Sequence, residues 1–281
     1  MDASPELLPP ALVELVGQFA REHRARVPNL LTGLIVTGSA TLDDWHPGLS
    51  DVDLVMIIAR PPTPDELTTI AELHAATSAS TPVDGIYLTD AQLKDGPHEI
   101  VTAPQVVGGI LTEQQTGGEL TWITWLEIEH GVESAVAATG ATGWSRCARR
   151  FPAAEEGARR FSRDNLRTYW APLGAQAREQ LTGRASDAAV SAETIRWIAL
   201  GPARLVATAE GHGVISKTAA AAWAIRKWPQ YADLLTRAAA SRAGQELSFA
   251  TTGADHALDL LTSAWTLRAS GRGSPIGPSP K

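Results

Sequence analysis

Apolar and polar positions change rhythm twice along the 281 residues of this chain. After Pro9 and Pro10, Leu12, Leu15, Val16 and Phe19 recur at three- and four-residue spacing, which predicts a helix opened by proline. The rhythm then tightens to strand-like runs. Residues 33–37 predict a strand ending in Gly38-Ser39, where a short helix is expected to start, and residues 52–59 predict a second strand that Pro61-Pro62 stops. Pro64-Asp65-Glu66 starts a helix with acids in its first turn and Leu67, Ile70 and Leu73 facing inward, ending in the Ser/Thr-rich run 77–81. A third strand is expected at 83–88. This β-α-β-α-β order reads as an α/β half.

From about residue 150 alanine and arginine dominate, and apolar positions return to helical spacing, with turn signals at 171–174, 182–187, 211–213 and 228–230. The expected fold is therefore α/β plus all-α, with a mixed sheet and helices over 1–150 and a helical bundle over 151–269. The Gly/Ser/Pro-rich tail, 270–281, has nothing to bury and is expected to be disordered.

The chemistry sits where the second strand begins. In Ser50-Asp51-Val52-Asp53-Leu54 the two aspartates are two residues apart, so a strand projects both to one face while valine and leucine face the other way. Paired carboxylates repel each other and suit a hard divalent cation such as Mg2+, which takes oxygen ligands and shares itself with substrate phosphates. Gly38 lets backbone approach a phosphate closely, Ser39 is expected to open a helix whose free N–H groups favour anions, and Ser39 and Ser50 add hydroxyl donors. Together these features describe a polymerase-like nucleotidyl-transfer site. In Val83-Asp84-Gly85-Ile86 a further aspartate interrupts an apolar strand.

Gly38-Ser39 followed by Ser50-Asp51-Val52-Asp53 resembles the signature of the nucleotidyltransferase superfamily. The stretch from Arg204 to Ala224, with Gly211-His212-Gly213-Val214-Ile215-Ser216-Lys217-Thr218 inside it, is similar to the aminoglycoside (3'')(9) adenylyltransferase family, the streptomycin/spectinomycin adenylyltransferases. The likeness runs unevenly from about residue 30 to about residue 240. It implies a polymerase β-like N-terminal domain, ATP as co-substrate, Mg2+ on Asp51 and Asp53, and transfer of AMP to a hydroxyl. The family places a glutamate general base on the strand where this chain has Asp84. One methylene shorter, Asp84 is either the base, directly or through water, or a third metal ligand. The resemblance also implies that Arg204 and Lys217 bind the triphosphate. For the acceptor the match thins, because Thr194 stands where the family has its drug-binding aspartate and Trp197 where a histidine is usual, which leaves Glu193 as the candidate. Loop 171–192 lacks the tryptophan associated with streptomycin, so spectinomycin is the better expectation.

Net charge narrows the partners. With 24 basic and 31 acidic residues, a formal charge of -7 and no basic run, the chain is a poor match for nucleic acid and a good one for a small cationic, hydroxyl-rich acceptor. The lone Cys147 forbids an internal disulfide, and no stretch reaches the roughly 18 apolar residues of a membrane span, so a cytoplasmic, monomeric enzyme without membrane or nucleic-acid partners is expected. An acceptor of another kind, whether sugar, metabolite or protein side chain, or an inactive nucleotide-binding homologue, fits the same residues. Of the nine tryptophans, Trp223 and Trp265 are expected in the core, Trp228 as a helix-end plug, and Trp122 and Trp125 either packed or lining a cleft.

Overall fold

The computed structural model describes residues 7–78, 81–115, 118–137 and 139–266, so the expectation for the tail from Ser270 lies outside the described residues. The chain forms two compact units, Met1–Phe161 with Gly211–Lys217, and Ser162–Glu210 with Thr218–Lys281.

The first unit is built on a seven-stranded mixed sheet. Its strands are β1 (Leu31–Val36), β2 (Val52–Ile58), β3 (Val83–Thr89), β4 (Ala103–Val107), β5 (Ile110–Gln115), β6 (Val132–Ala137) and β7 (Gly140–Arg146), in the order β5-β4-β3-β2-β1-β6-β7. Only β2 and β3 run parallel, joined by the crossover helix α2 (Pro64–Ser78); the other neighbouring strands are antiparallel. Both faces of the central strands are buried, which is why β1 and β2 read as continuous apolar runs. Leu34, Val36, Leu54, Met56 and Tyr87 pack on one face against α1 (Pro10–Arg26) and α2. Ile35, Val55, Ile57, Ile86 and Leu88 pack on the other with Leu93 of α3 (Asp90–Asp95), Trp125 of α4 (Trp122–Ile128) and Ala154 and Ala158 of α5 (Ala154–Asn165).

Caps match the residues that open these helices. Thr63 and Glu66 form a reciprocal box at the start of α2, with Thr63 N–H donating to Glu66 (2.8 Å) and Glu66 N–H to Thr63 Oγ1 (3.3 Å). Arg60 grips the same glutamate through two N–H donors and, with the Thr63 amide, pulls its carboxyl down to about 2. Trp125 is fully buried and donates its indole N–H to the Leu93 carbonyl (2.8 Å), so its role is packing.

The second unit is helical, with α6 (Ala171–Leu181), α7 (Ala192–Ala209), α8 (Lys217–Lys227), α9 (Ala232–Arg242) and α10 (Thr251–Thr266), plus a two-stranded sheet of β8 (Ala189–Val190) and β9 (Phe249–Ala250). The turn expected at 171–174 is absent. A π-helical turn, Leu166–Trp170, runs directly into α6, and Pro172 sits in the first turn of α6, where a proline sacrifices little hydrogen bonding. Trp228 is buried behind α8 as expected, with Trp223 half-buried edge-on to it at 5.7 Å, whereas Trp265 is 41% exposed rather than in the core. No described helix is long and apolar enough to cross a membrane.

A histidine pair lies inside the first unit. His23 of α1 and His74 of α2 are fully buried beside Phe19 and Tyr87. His74 Nδ1 donates to the Val83 carbonyl (2.8 Å) and its Nε2 accepts from the Tyr87 hydroxyl (2.8 Å), whereas neither ring nitrogen of His23 has a partner. Burial pushes both imidazoles down to about 4, and for His23 the nearby His74 adds to the effect. The unfolded chain therefore binds these protons more readily, so their effect is absent above about pH 7 and stability falls as pH drops from 6.5 towards 4. At pH 5 each histidine is expected to cost about 2 kcal/mol relative to pH 7. Urea unfolding at pH 7 and pH 5 should show this loss, and His23→Leu should remove about half of it; equal stability at both pH values would contradict the buried neutral pair.

Candidate active site

Beyond β1 the chain turns sharply at Gly38, whose φ is +62°, into a four-residue 3-10 helix, Gly38–Thr41. A Cβ at residue 38 would lie 1.9 Å from Asp53 Oδ2, so only glycine lets this turn and the Asp53 carboxylate share the space. The turn is tied to β2 by the Thr37 N–H, which donates to the Asp53 carbonyl (3.0 Å), and it is closed by Thr41 Oγ1 on the Gly38 carbonyl (3.2 Å). Four residues of 3-10 helix align few peptide dipoles. The anion preference expected of a helix opening at Ser39 therefore falls instead to the turn's backbone and to the Ser39 hydroxyl, which is buried without a hydrogen-bond partner. Ser50 is also buried, but its hydroxyl accepts the His46 N–H (3.1 Å) and locks the loop, and Trp45 Nε1 pins the Asp51 carbonyl (3.1 Å).

The carboxylates gather at the start of the two parallel strands. Asp53 and Asp84 are paired in register on β2 and β3, half-buried on the same face, and Asp51 is exposed just before β2. Burial, then repulsion from Asp51, Glu119 and Glu127, pushes the Asp53 carboxyl well above the usual carboxylate range, with Lys217 acting in the opposite direction. Asp84 is held by the turn between β4 and β5, where Gly108 N–H donates to Oδ2 (2.7 Å) and Gly109 N–H to Oδ1 (3.1 Å). Burial raises its pKa, the two amides oppose that, and Asp51 adds to it.

Two acids in this cluster were missed from sequence. Glu119, ahead of α4, is pushed up to about 7 by burial and by Glu127, with smaller contributions from Asp84 and Asp51, against a hydrogen bond from Thr124 Oγ1 (3.2 Å). Its backbone N–H donates to Gln105 Oε1 (2.7 Å), and Glu127 lies on α4 one turn after Thr124. Nothing in Gly118-Glu119-Leu120-Thr121 distinguishes Glu119 from an ordinary acid before a helix. The one available signal was Thr124 and Glu127 at helical spacing on a helix otherwise largely apolar.

Among the described residues no three His, Cys, Asp or Glu side chains already converge as a closed metal site. The donor set nevertheless fits a hard cation. Asp51 and Asp53 offer only oxygens, and a divalent ion between them would relieve the repulsion that raises Asp53, leaving coordination positions for phosphate. Lys217, at the start of α8, belongs to the same unit as these acids. Arg204 and Glu193 are both on α7 of the second unit, about three turns apart and on one helix face with Trp197 and Gly201. Trp197 is 40% exposed and stacks at a tilt on Trp170, centroids 4.8 Å apart.

Comparison with known families fits both halves. Residues 16–101 match the family described as nucleotidyltransferase domain, and residues 178–263 match aminoglycoside adenylyltransferase, C-terminal domain. The chain is an aminoglycoside adenylyltransferase-like nucleotidyltransferase. Its fold is shared by the spectinomycin adenyltransferase AAD(9) from Enterococcus faecialis, solved with ATP and spectinomycin, at a TM-score of 0.61 and 14% identity over 91% of this chain and 98% of that one. No curated protein matches the sequence.

For this adenylyltransferase-like enzyme the Gly38 turn makes two predictions. Gly38→Ala should fold yet lose AMP transfer by at least about 100-fold, because its Cβ displaces the Asp53 carboxylate. Ser39→Ala should leave the melting temperature unchanged or slightly higher while weakening nucleotide binding, tested with ATP, about tenfold, since the hydroxyl has no partner within the protein. Calorimetric titration and thermal melts check both; an Ser39→Ala enzyme that melts lower and binds ATP normally would make the hydroxyl structural.

Proposed function

We propose that the enzyme is a Mg2+- and ATP-dependent O-adenylyltransferase acting on a hydroxyl of a small cationic acceptor, with spectinomycin the first candidate. The observation that carries this reading is the pairing of Asp53 and Asp84 across β2 and β3, with Asp51 near enough to raise both and Asp53 set against the Gly38 turn. The net charge of -7 favours a cationic acceptor, and the similarly folded enzyme was solved with ATP and spectinomycin.

In the reaction the acceptor oxygen attacks the α-phosphorus of ATP, an O–P bond forms, the bond to the β-phosphate oxygen breaks, and pyrophosphate leaves. Asp51 and Asp53 would hold Mg2+, which supplies charge neutralisation and in-line positioning when bound. The Gly38–Ser39 turn would receive phosphate oxygens, and Lys217 and Arg204 would offset charge on the departing pyrophosphate. Asp84, with both oxygens held by the hairpin amides, is proposed to take the acceptor's proton, and Glu193 to bind the acceptor's cationic group. A base must be ionised to act, so protonation of Asp84, whose pKa is raised, is expected to lower the rate on the acid side.

Asp51→Asn should abolish ATP-dependent AMP transfer, a loss on the order of 1,000-fold. The acceptor is tested by mass spectrometry of spectinomycin, streptomycin and related aminoglycosides incubated with enzyme, ATP and Mg2+. The expected result is a gain of one AMP on spectinomycin and none on streptomycin. No product on any drug, with Mg-ATP binding intact, would move the acceptor to another hydroxylated metabolite, and full activity in Asp51→Asn would overturn the metal assignment.

A further inference from the structure

The hairpin that holds Asp84 does more than cap the sheet. In the β3–β4 pairing Gly85 faces Val106 and Ile86 faces Gln105, so the next pair in register sets Asp84 opposite Val107. Val107 in turn pairs with Ile110 across the β4–β5 turn, and Asp53 pairs with Asp84 on the other side. Cross-strand partners share a face, so Asp53, Asp84, Val107 and Ile110 form one row across four strands. The row passes from two carboxylates to two β-branched side chains, 53% and 69% exposed.

The turn between them is built for contact with Asp84. Gly108 and Gly109 have φ of +60° and +75°, the left-handed pair that a two-residue hairpin turn of this twist requires. Their N–H groups each take one oxygen of the same carboxylate. With both oxygens engaged from one side, the carboxylate plane is fixed, and its remaining lone pairs point away from the turn.

We propose that the hairpin tip Val107–Ile110 is the acceptor-side positioning element of the site: its two glycine amides fix the orientation of Asp84, and Val107 and Ile110 meet the ring carbons of the acceptor whose hydroxyl Asp84 receives. An aminocyclitol suits this row, because its rings carry apolar C–H faces between hydroxyl and ammonium groups, so one face lies on the aliphatic pair while a hydroxyl reaches the neighbouring carboxylate. The inference rests on the reading of Asp84 as the residue that receives the acceptor.

Two measurements on the full chain test it. Backbone amide signals of Gly108 and Gly109 should follow the ionisation of Asp84 with pH, and Asp84→Ala should abolish that response. Glycine amides indifferent to Asp84→Ala would overturn the clamp. With methyl-labelled protein, spectinomycin should shift Val107 and Ile110. Val107→Ser/Ile110→Ser should raise the spectinomycin KM about tenfold, the loss expected from removing a few buried methyl groups, without changing Mg-ATP affinity. Val107→Leu/Ile110→Leu should restore it. Spectinomycin that shifts other signals but leaves these methyls unmoved would overturn the contact alone. No shift anywhere would overturn the proposed acceptor and the contact with it, leaving the amide response to decide the clamp.

Discussion

The constraint that shapes one end of the first unit's sheet is the crowding of Asp51, Asp53, Asp84, Glu119 and Glu127, whose repulsion adds to burial in raising Asp53, Asp84 and Glu119. Asp53 is the pivot. Its carboxylate stands against the backbone of residue 38, and its pKa is raised by burial and by Asp51, Glu119 and Glu127 together. Such a charge is costly to hold in a protein interior, and the cost is relieved either by a proton or by a metal ion. On the proposed function, the cation that relieves it is a divalent ion arriving with the nucleotide's phosphates. Beside Asp53 stand a glycine where a side chain would collide and a short 3-10 turn with an unsatisfied hydroxyl, and Lys217 of the same unit acts against the rise in its pKa.

The remaining acids divide by the partners they keep. Asp84 accepts two backbone amides, which favour its charged form and fix its direction. Glu119 is pushed up to about 7 by burial and then by Glu127, Asp84 and Asp51, against a hydrogen bond from the Thr124 hydroxyl. Asp53, Asp84 and Glu119 are thus all raised, but by different partners, and of the three only Asp84 has both oxygens held by backbone amides.

Local patterns carried the strands that bear Asp53 and Asp84 and the turn at Gly38, and little of the rest. The strands bearing Asp53 and Asp84 were legible because each is an apolar run bounded by proline, glycine or serine, and Asp51-Val52-Asp53 alternates as a strand must. The hairpin β4–β5 and the strands β6 and β7 were not anticipated. They are short and their outer residues are half-exposed; β4–β5 and β6–β7 are local hairpins, but the pairings that set them into the sheet, β3–β4 and β1–β6, are non-local, so no single window places them. For the same reason Glu119 and Glu127 escaped notice, because their importance comes from which residues the sheet brings beside them. The missing turn at 171–174 is a simpler case, in which Pro172 looked like a helix stop but lies in the first turn of α6 after a π-helical turn.

On the proposed function, Asp51 and Asp53 collect a divalent cation together with the triphosphate. The most direct measurement is the anomalous signal of Mn2+ in crystals grown with a non-hydrolysable ATP analogue. A peak beside Asp51, Asp53 and the analogue's phosphates, lost in Asp53→Ala, is expected; nucleotide bound with no peak at these aspartates, or with the metal held elsewhere, would overturn the assignment.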